Sequence, residues 1–424
     1  MSPEIITILF LIFAIVMFAM EKIPLPVTAM IVAVGLILTG VLEPSDAFGG
    51  FVDNNVLLFM AMFIVGAAFF ETGMAQTVGG IITKFAKSER MLIAVIMILT
   101  GLMSGLLSNT GTAAVLIPVV IGLAIRSGFA RSRLLLPLVF AAAMGGNLSL
   151  IGAPGNMFAQ SALQDIGLSF GFFEYAKVGL PILIIGILYF CFFGYRLLPN
   201  RNDEQVDNDS VFNQKVNYSA VPAWKRFLAL IILVTTVLAM IFEDTIGIPL
   251  HVSAWTGALI LIATRVITEK SAIKSIDMGI ILLFVGSLAL ARAIDQSGAG
   301  ELIANTFIGV VGNEPSPYLL LFLILSLSSL MTNFMSNTAT TALLVPISLS
   351  IAASIGADPR AVLMATVIGG SLAFATPIGM PANAMIYNIG GYRFIDYVKA
   401  GVPMILVAII VSMILLPIFF PFYP

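Results

Sequence analysis

Apolar stretches of about 17–20 residues recur along this chain, each long enough as a helix to cross a hydrocarbon core of about 30 Å. Backbone polar groups in lipid must be satisfied within their own segment, so these stretches are helices, and the strict alternation of an outer-membrane barrel is missing. In the first half, spans fall near 5–21, 24–41, 55–73, 133–165 (interrupted) and 180–197. The segment 91–126 is apolar but broken at Ser108-Asn109-Thr110, which predicts a re-entrant hairpin entering and leaving on one face. The second half repeats this order near 223–242, 250–268, 278–294, a hairpin at 316–356, 359–392 (interrupted) and 402–420.

The two halves also correspond residue by residue. Pro24-Leu25-Pro26-Val27-Thr28-Ala29 returns as Pro249-Leu250-His251-Val252-Ser253-Ala254, and Leu107-Ser108-Asn109-Thr110-Gly111-Thr112 as Met335-Ser336-Asn337-Thr338-Ala339-Thr340. Ile151-Gly152-Ala153-Pro154-Gly155-Asn156 returns as Ile378-Gly379-Met380-Pro381-Ala382-Asn383. Phe172-Phe173-Glu174-Tyr175-Ala176-Lys177 returns as Phe394-Ile395-Asp396-Tyr397-Val398-Lys399, and each leads into a Gly-x-Pro. The offsets are 225, 228, 227 and 222 residues, always in the same order, which marks a duplicated fold. Residues 1–198 therefore read as one repeat, with its hairpin at 91–126 and a broken helix around 152–156. Residues 223–424 read as the second, with its hairpin at 316–356 and a broken helix around 379–383, and the polar stretch 199–222 links them.

Charge then fixes orientation. Five crossings per repeat is odd, so the second repeat must be inserted upside down relative to the first. With the N-terminus outside, all 20 Lys and Arg residues except Lys177, Arg292 and Arg360 fall on the inner face, as the positive-inside rule requires. Both termini are expected outside and the linker in the cytoplasm, in a cell (inner) membrane. The expected fold is an all-α polytopic membrane protein of two inverted-topology repeats, each of five transmembrane helices plus one re-entrant hairpin.

Composition narrows the function. With 59% hydrophobic and 10% charged residues and a mean hydropathy of +1.08, the chain lies far from soluble globular proteins. The stretch from Ile5 to Met20 follows Glu4 rather than a basic segment and reads as a retained span, not a signal peptide. One cysteine, Cys191, and one histidine, His251, exclude an intrachain disulfide and the usual zinc sites, and Cys191 reads as a buried structural thiol. No phosphate-binding Gly-rich loop with Lys-Ser/Thr is present, and the net charge of −2 offers nothing to nucleic acid.

Two Ser-Asn-Thr tips and two Gly-x-Pro-x-Asn breaks are four helix discontinuities, the architecture with which inverted-repeat transporters build a site near the midplane. Exposed N–H groups at the half-helix ends suit an anion, and freed carbonyls suit a cation. Capping of a helix beginning near Thr112 would explain one such tripeptide; two copies, each 43–44 residues before a Gly-x-Pro-x-Asn, favour binding. Ser104 and Thr332, four residues before each motif serine, are candidate cation ligands, against the alternative that each hydroxyl bonds its own helix backbone. Arg292 with Asp295, Glu174 with Lys177 and Asp396 with Lys399 read as local ion pairs and Glu71 as structural, while Gly101-x-x-x-Gly105 reads as a weak packing motif.

The paired Ser-Asn-Thr motifs, and the segment from Ser371 through Thr376-Pro377-Ile378-Gly379-Met380-Pro381-Ala382-Asn383 to Ile386, resemble the divalent anion/sodium symporter family of the ion transporter superfamily. The chain departs in having Pro-Gly-Asn and Pro-Ala-Asn where Pro-Pro-Asn is frequent, Gly370 before the serine, and a bulky Met380 where a small or hydroxyl residue is common. The resemblance implies one sodium site from Ser104, Ser108, Asn109 and the Gly152 carbonyl, and a second from Thr332, the Met335 carbonyl, Asn337 and Gly379. It implies substrate contacts from Ser108, Asn109, Thr110, Ser336, Asn337 and Thr338, with Ala153, Pro154, Met380 and Pro381 lining the pocket. It further implies a homodimer with an elevator motion, and no bound cofactor beyond co-transported sodium. The expected activity is sodium-coupled symport of a C4-dicarboxylate such as succinate, malate or fumarate, with sulfate or other anion symport, or dicarboxylate exchange, next. An anion channel is disfavoured for want of ring-forming charges, and an enzyme for want of a nucleophile–base pair or metal ligands.

Overall fold

The computed structural model describes residues 1–20, 22–80, 88–201, 221–311 and 316–423. Most of the linker expected at 199–222, and Lys84, Lys87 and Lys215 of the charge argument, lie outside them. The described residues form helices without a strand. The first half contains α1 (Pro3–Met20), α2 (Leu25–Leu38), α3 (Asn54–Glu71), α4 (Met74–Gly79), α5 (Glu89–Leu106), α6 (Asn109–Ser127), α7 (Arg131–Gly145), α8 (Pro154–Gln164) and α9 (Ala176–Phe192). The second contains α10 (Ala223–Ile241), α11 (Leu250–Ala263), α12 (Met278–Gln296), α13 (Ala299–Val311), α14 (Pro317–Thr332), α15 (Asn337–Ile355), α16 (Pro359–Gly370), α17 (Pro381–Ile389) and α18 (Phe394–Phe419). Among them, eight helical stretches are long and apolar enough to cross a membrane.

Local chemistry sets the boundaries. Asp53 caps α3 by accepting from Asn55 N at 2.8 Å, Ser88 caps α5, Ser316 caps α14 and Asp358 caps α16. Proline opens α2, α8, α14, α16 and α17, where its missing N–H costs nothing. The last helix of each half begins earlier than hydropathy alone suggested, at Ala176 and Phe394 rather than 180 and 402, because the polar first turn is anchored. Arg393 and Asp396 form a reciprocal cap at α18.

Packing follows the sequence correspondence, with α5 against α7 as α14 is against α16, and α6 against α7 as α15 is against α16. Likewise α2 packs on α12 as α11 packs on α3, while α9 and α18 pack on each other. The outermost helix, α1, buries one stripe, Thr7, Leu11, Ala14 and Phe18, and turns apolar residues such as Leu9 and Val16 outward, which suits lipid rather than water. Inside, Phe140 and Phe374 from the two halves meet with ring centroids 4.7 Å apart, one within α7 and the other just beyond α16.

Ion pairing differs in part from expectation. Lys177 and Glu174 pair at 2.8 Å, but Asp396 pairs with Arg201, also at 2.8 Å, instead of Lys399. Arg292 forms no salt bridge with Asp295; its guanidinium donates to the Asp46 carbonyl at 2.6 Å. Tertiary partners displaced the neighbours because they meet these groups where burial makes the bond stronger. Cys191 is half-buried, with Sγ 3.7 Å from the Arg90 carbonyl, and the backbones of Gly101 and Gly145 touch where α5 crosses α7.

Candidate functional site

Each Ser-Asn-Thr tip is the start of a helix. Ser108 is the N-cap of α6, accepting from Gly111 N at 3.1 Å, and Ser336 is the N-cap of α15, accepting from Ala339 N at 3.2 Å. The helices therefore begin at Asn109 and Asn337, a turn earlier than the expected start near Thr112, because the serine hydroxyl takes up a first-turn N–H. The bland expectation for the tripeptide is met, and it leaves the asparagine side chains free for other work.

Those side chains face a shell of oxygens. Ser104 Oγ lies 2.7 Å from Asn109 Oδ1 and 2.6 Å from the Ala142 carbonyl; Thr332 Oγ1 lies 2.7 Å from Asn337 Oδ1 and 2.6 Å from the Gly370 carbonyl. A hydroxyl has one proton and cannot donate to both acceptors at once. Neither hydroxyl bonds its own helix backbone, the alternative open from sequence. In the first half the Gly152 carbonyl joins the cluster: turning the Asn109 amide would let Nδ2 donate to Gly152 O at 3.0 Å, to Ser104 Oγ at 2.7 Å and to Ala142 O at 3.2 Å. The same place thus suits either an amide N–H or, with Oδ1 turned in, a cation held by oxygens alone.

The broken helices supply the rest. Asn156 Nδ2 donates to the Gly146 and Ser149 carbonyls at 2.8 and 2.7 Å, and Asn383 Nδ2 to the Ala373 and Thr376 carbonyls at 2.7 and 3.0 Å. These amides replace the helix bonds lost where α7 and α16 end. Tyr175 OH holds the Asn156 carbonyl at 2.9 Å and Tyr397 OH the Asn383 carbonyl at 2.7 Å. Ser149 Oγ donates to the Gly105 carbonyl, and its counterpart Thr376 Oγ1 to the Asn333 carbonyl at 2.6 Å. The Gly-x-Pro motifs find their reason here: Gly179 backs onto the Asn147 carbonyl and Gly401 onto the Phe374 carbonyl so closely that any Cβ would clash with backbone. Gly152 and Gly379 are equally confined, each Cβ position lying 2.5 Å from a carbonyl oxygen, of Gly146 and Thr332 respectively.

These parts enclose a cavity of about 530 Å³. Ser108, Asn109, Thr110, Ala153, Pro154, Ser336, Asn337, Thr338, Met380 and Pro381 all line it, so the N-termini of α6, α8, α15 and α17 converge on one space. Gly152 lines it too; Ser104, Thr332, Met335 and Gly379 are buried one layer behind. The remaining wall is largely apolar, from Phe59, Phe63 and Phe70 of α3 and Ile280 and Leu283 of α12. Among the described residues the lining holds one ionisable side chain, Asp277, and no Lys, Arg or His. Four positive helix ends without a fixed cation favour an anion that arrives with mobile positive charge.

Sequence reading missed Ser371 and Thr341, which line the cavity from the second half, and Asn147, whose Oδ1 accepts from Ser371 Oγ at 3.0 Å. It also assigned no role to Tyr175 and Tyr397, although both stood in the repeated motifs.

The run of apolar helices and the family match together define a multi-pass membrane transporter. The family model described as Citrate transporter (CitMHS) matches residues 15–369, and the chain belongs to that family. The chain is 26% identical to the sodium-dependent dicarboxylate transporter SdcS of Staphylococcus aureus, over 87% of this chain and 77% of that one, which bears out the resemblance to divalent anion/sodium symporters. It is 24% identical to the uncharacterized transporter YfbS of Escherichia coli, with 100% of both chains covered. In fold it is similar to the Alcanivorax borkumensis YdaH transporter, with a TM-score of 0.65 at 15% identity over 99% of this chain and 98% of that one.

Proposed function

We propose that this protein is a secondary transporter that couples sodium to the symport of small divalent anions, with a C4-dicarboxylate (succinate, malate or fumarate) as substrate. The observation that carries the reading is the convergence of four helix N-termini on a cavity lined, among the described residues, by no basic side chain. An anion there gains from the N–H groups of the tips and half-helices, and sodium at the two oxygen clusters supplies the missing charge. One cluster is Ser104, Ser108, Asn109 and the Gly152 carbonyl; the other is Thr332, Asn337 and the Met335 and Gly379 backbone. One carboxylate takes Ser108, Asn109 and Thr110, the other Ser336, Asn337 and Thr338. The relative named for sodium-dependent dicarboxylate transport supports the same substrate class.

The chain sits in the inner membrane as two oppositely inserted repeats, 1–198 and 223–424, with both termini outside and 199–222 cytoplasmic. It works as a homodimer whose binding elements move against the rest in an elevator step. The matched hydrogen bonds of the two halves and the charge asymmetry support this arrangement. A second reading, sulfate as the anion, is favoured by Met380, which stands buried at a cap position where the first half has Ala153.

Uptake of labelled succinate into proteoliposomes tests the proposal. It should need an inward sodium gradient and fall to background in potassium. Equal uptake in potassium rejects sodium coupling and favours exchange, whereas sodium-driven sulfate uptake without succinate uptake favours the second reading.

A further inference from the structure

The two ends of the molecule differ where their sequences correspond. Asp53 and Asp277 are matched N-caps, of α3 and α12. Ser161, near the end of α8, corresponds to Asn388, near the end of α17, at the offset of the Gly-x-Pro-x-Asn motif. In the first set the elements are fastened: Ser161 Oγ lies 3.0 Å from both carboxylate oxygens of Asp53, and Asn55 Nδ2 donates to Ser161 Oγ at 2.9 Å and to Gln164 Oε1 at 2.8 Å. Ser161 is 1% exposed.

In the second set the counterparts are apart. Asp277 is exposed, its carboxylate accepting from Ile280 N at 3.2 Å, and Asn388 is exposed with no side-chain bond to it. Asp277, Ser275 and Gly279 instead line the cavity. The two sets lie at opposite ends of the bundle. Glu71, at the far end of 18-residue α3 from Asp53 and about 27 Å away at helical rise, accepts from Ser271 of the short helix Glu269–Ser275 that leads into Asp277.

We propose that Asp53 with Ser161, and Asp277 with Asn388, are reciprocal latches. The first holds the cavity shut at its own end in the conformation seen here, and the second forms when α17 closes on α12 and the first opens. The inference rests on the elevator step proposed above, but not on the identity of the anion. Each latch joins a helix that carries a half-helix N-terminus of the site, α8 or α17, to a helix of the apolar wall, α3 or α12. Breaking one therefore biases the whole binding element.

Cross-linking in the full chain, in liposomes and with Cys191→Ser, tests this without substrate. The pair Asp277→Cys with Asn388→Cys should form a disulfide under mild oxidation roughly tenfold or more faster when Ser161→Ala is added, as loss of a hydrogen bond to a carboxylate predicts. Gln164→Ala should act in the same direction by a smaller factor, and covers the case in which Ser161→Ala folds poorly, which thermal melting would report. An unchanged cross-linking rate in both variants, or a pair that never links, overturns the latches. The expected cross-linking together with absent succinate uptake would leave the latches standing and reject the substrate.

Discussion

The two tips of the site make nearly the same bonds yet sit in different surroundings. Around Asn109 and Asn337 the distances to a hydroxyl in the preceding helix agree at 2.7 Å, and each hydroxyl reaches a carbonyl in the helix beyond at 2.6 Å. The half-helices that follow start from almost the same backbone, φ −142° and ψ 146° at Ala153, φ −143° and ψ 138° at Met380. Beside them, however, the first half offers Ala153 and the second Met380, and Ser371 and Thr341 line the cavity where the matched positions 143 and 113 are alanine. The polar framework is duplicated and the walls are not. A pseudo-symmetric frame can recognise two similar charged groups while asymmetric walls select what lies between them.

The strongest way to break the comparison is to remove one amide at a time. Asn109→Ala and Asn337→Ala should each lower sodium-driven uptake at least a hundredfold, with melting temperatures within a few degrees of the parent. If one variant keeps its activity, the tips are not equivalent. Next in size, Asn156→Ala and Asn383→Ala strip donors from two buried carbonyls each, at a cost of about 2–5 kcal/mol. Comparable losses of thermal stability in detergent are expected from both, and a loss confined to one would show that the second break is held by other bonds.

Met380→Ala sharpens the difference rather than the likeness. Enlarging one side of the cavity should improve KM for a bulkier anion such as citrate about tenfold relative to succinate, read from competition in the uptake assay. An unchanged ratio would mean the thioether does not face the substrate. The smallest effect belongs to the buried tyrosines. Tyr175→Phe and Tyr397→Phe each lose one hydrogen bond to an asparagine carbonyl, about 1 kcal/mol, and equal small falls in melting temperature are expected.

Much of the architecture was legible in order along the chain. Apolar length and the positions of Pro, Gly and Ser-Asn-Thr are local properties, and the solvent of a spanning helix leaves few alternatives to a continuous or broken helix. The correspondence of the halves was equally plain, since Pro154 and Pro381, or Gly179 and Gly401, declare the same backbone need in two places. The ten residues expected to meet substrate are all brought to one cavity for that reason.

Other features depend on what the chain meets after folding. Nothing in the sequence near Asp396 distinguishes Lys399 from Arg201 as its partner, and the choice follows from where Arg201 lies against α18. The fastening of Asp53 and Asn55 to Ser161 joins residues more than a hundred positions apart, and the separation of Asp277 from Asn388 is a matter of how the elements are packed at that end. Composition and spacing determined that helices would cross, break and recur, because backbone hydrogen bonding in lipid permits little else. Which oxygens gather around each broken end, and which of the two matched sets is bonded across elements, was decided only by tertiary packing, because those contacts are made between surfaces that no local pattern describes.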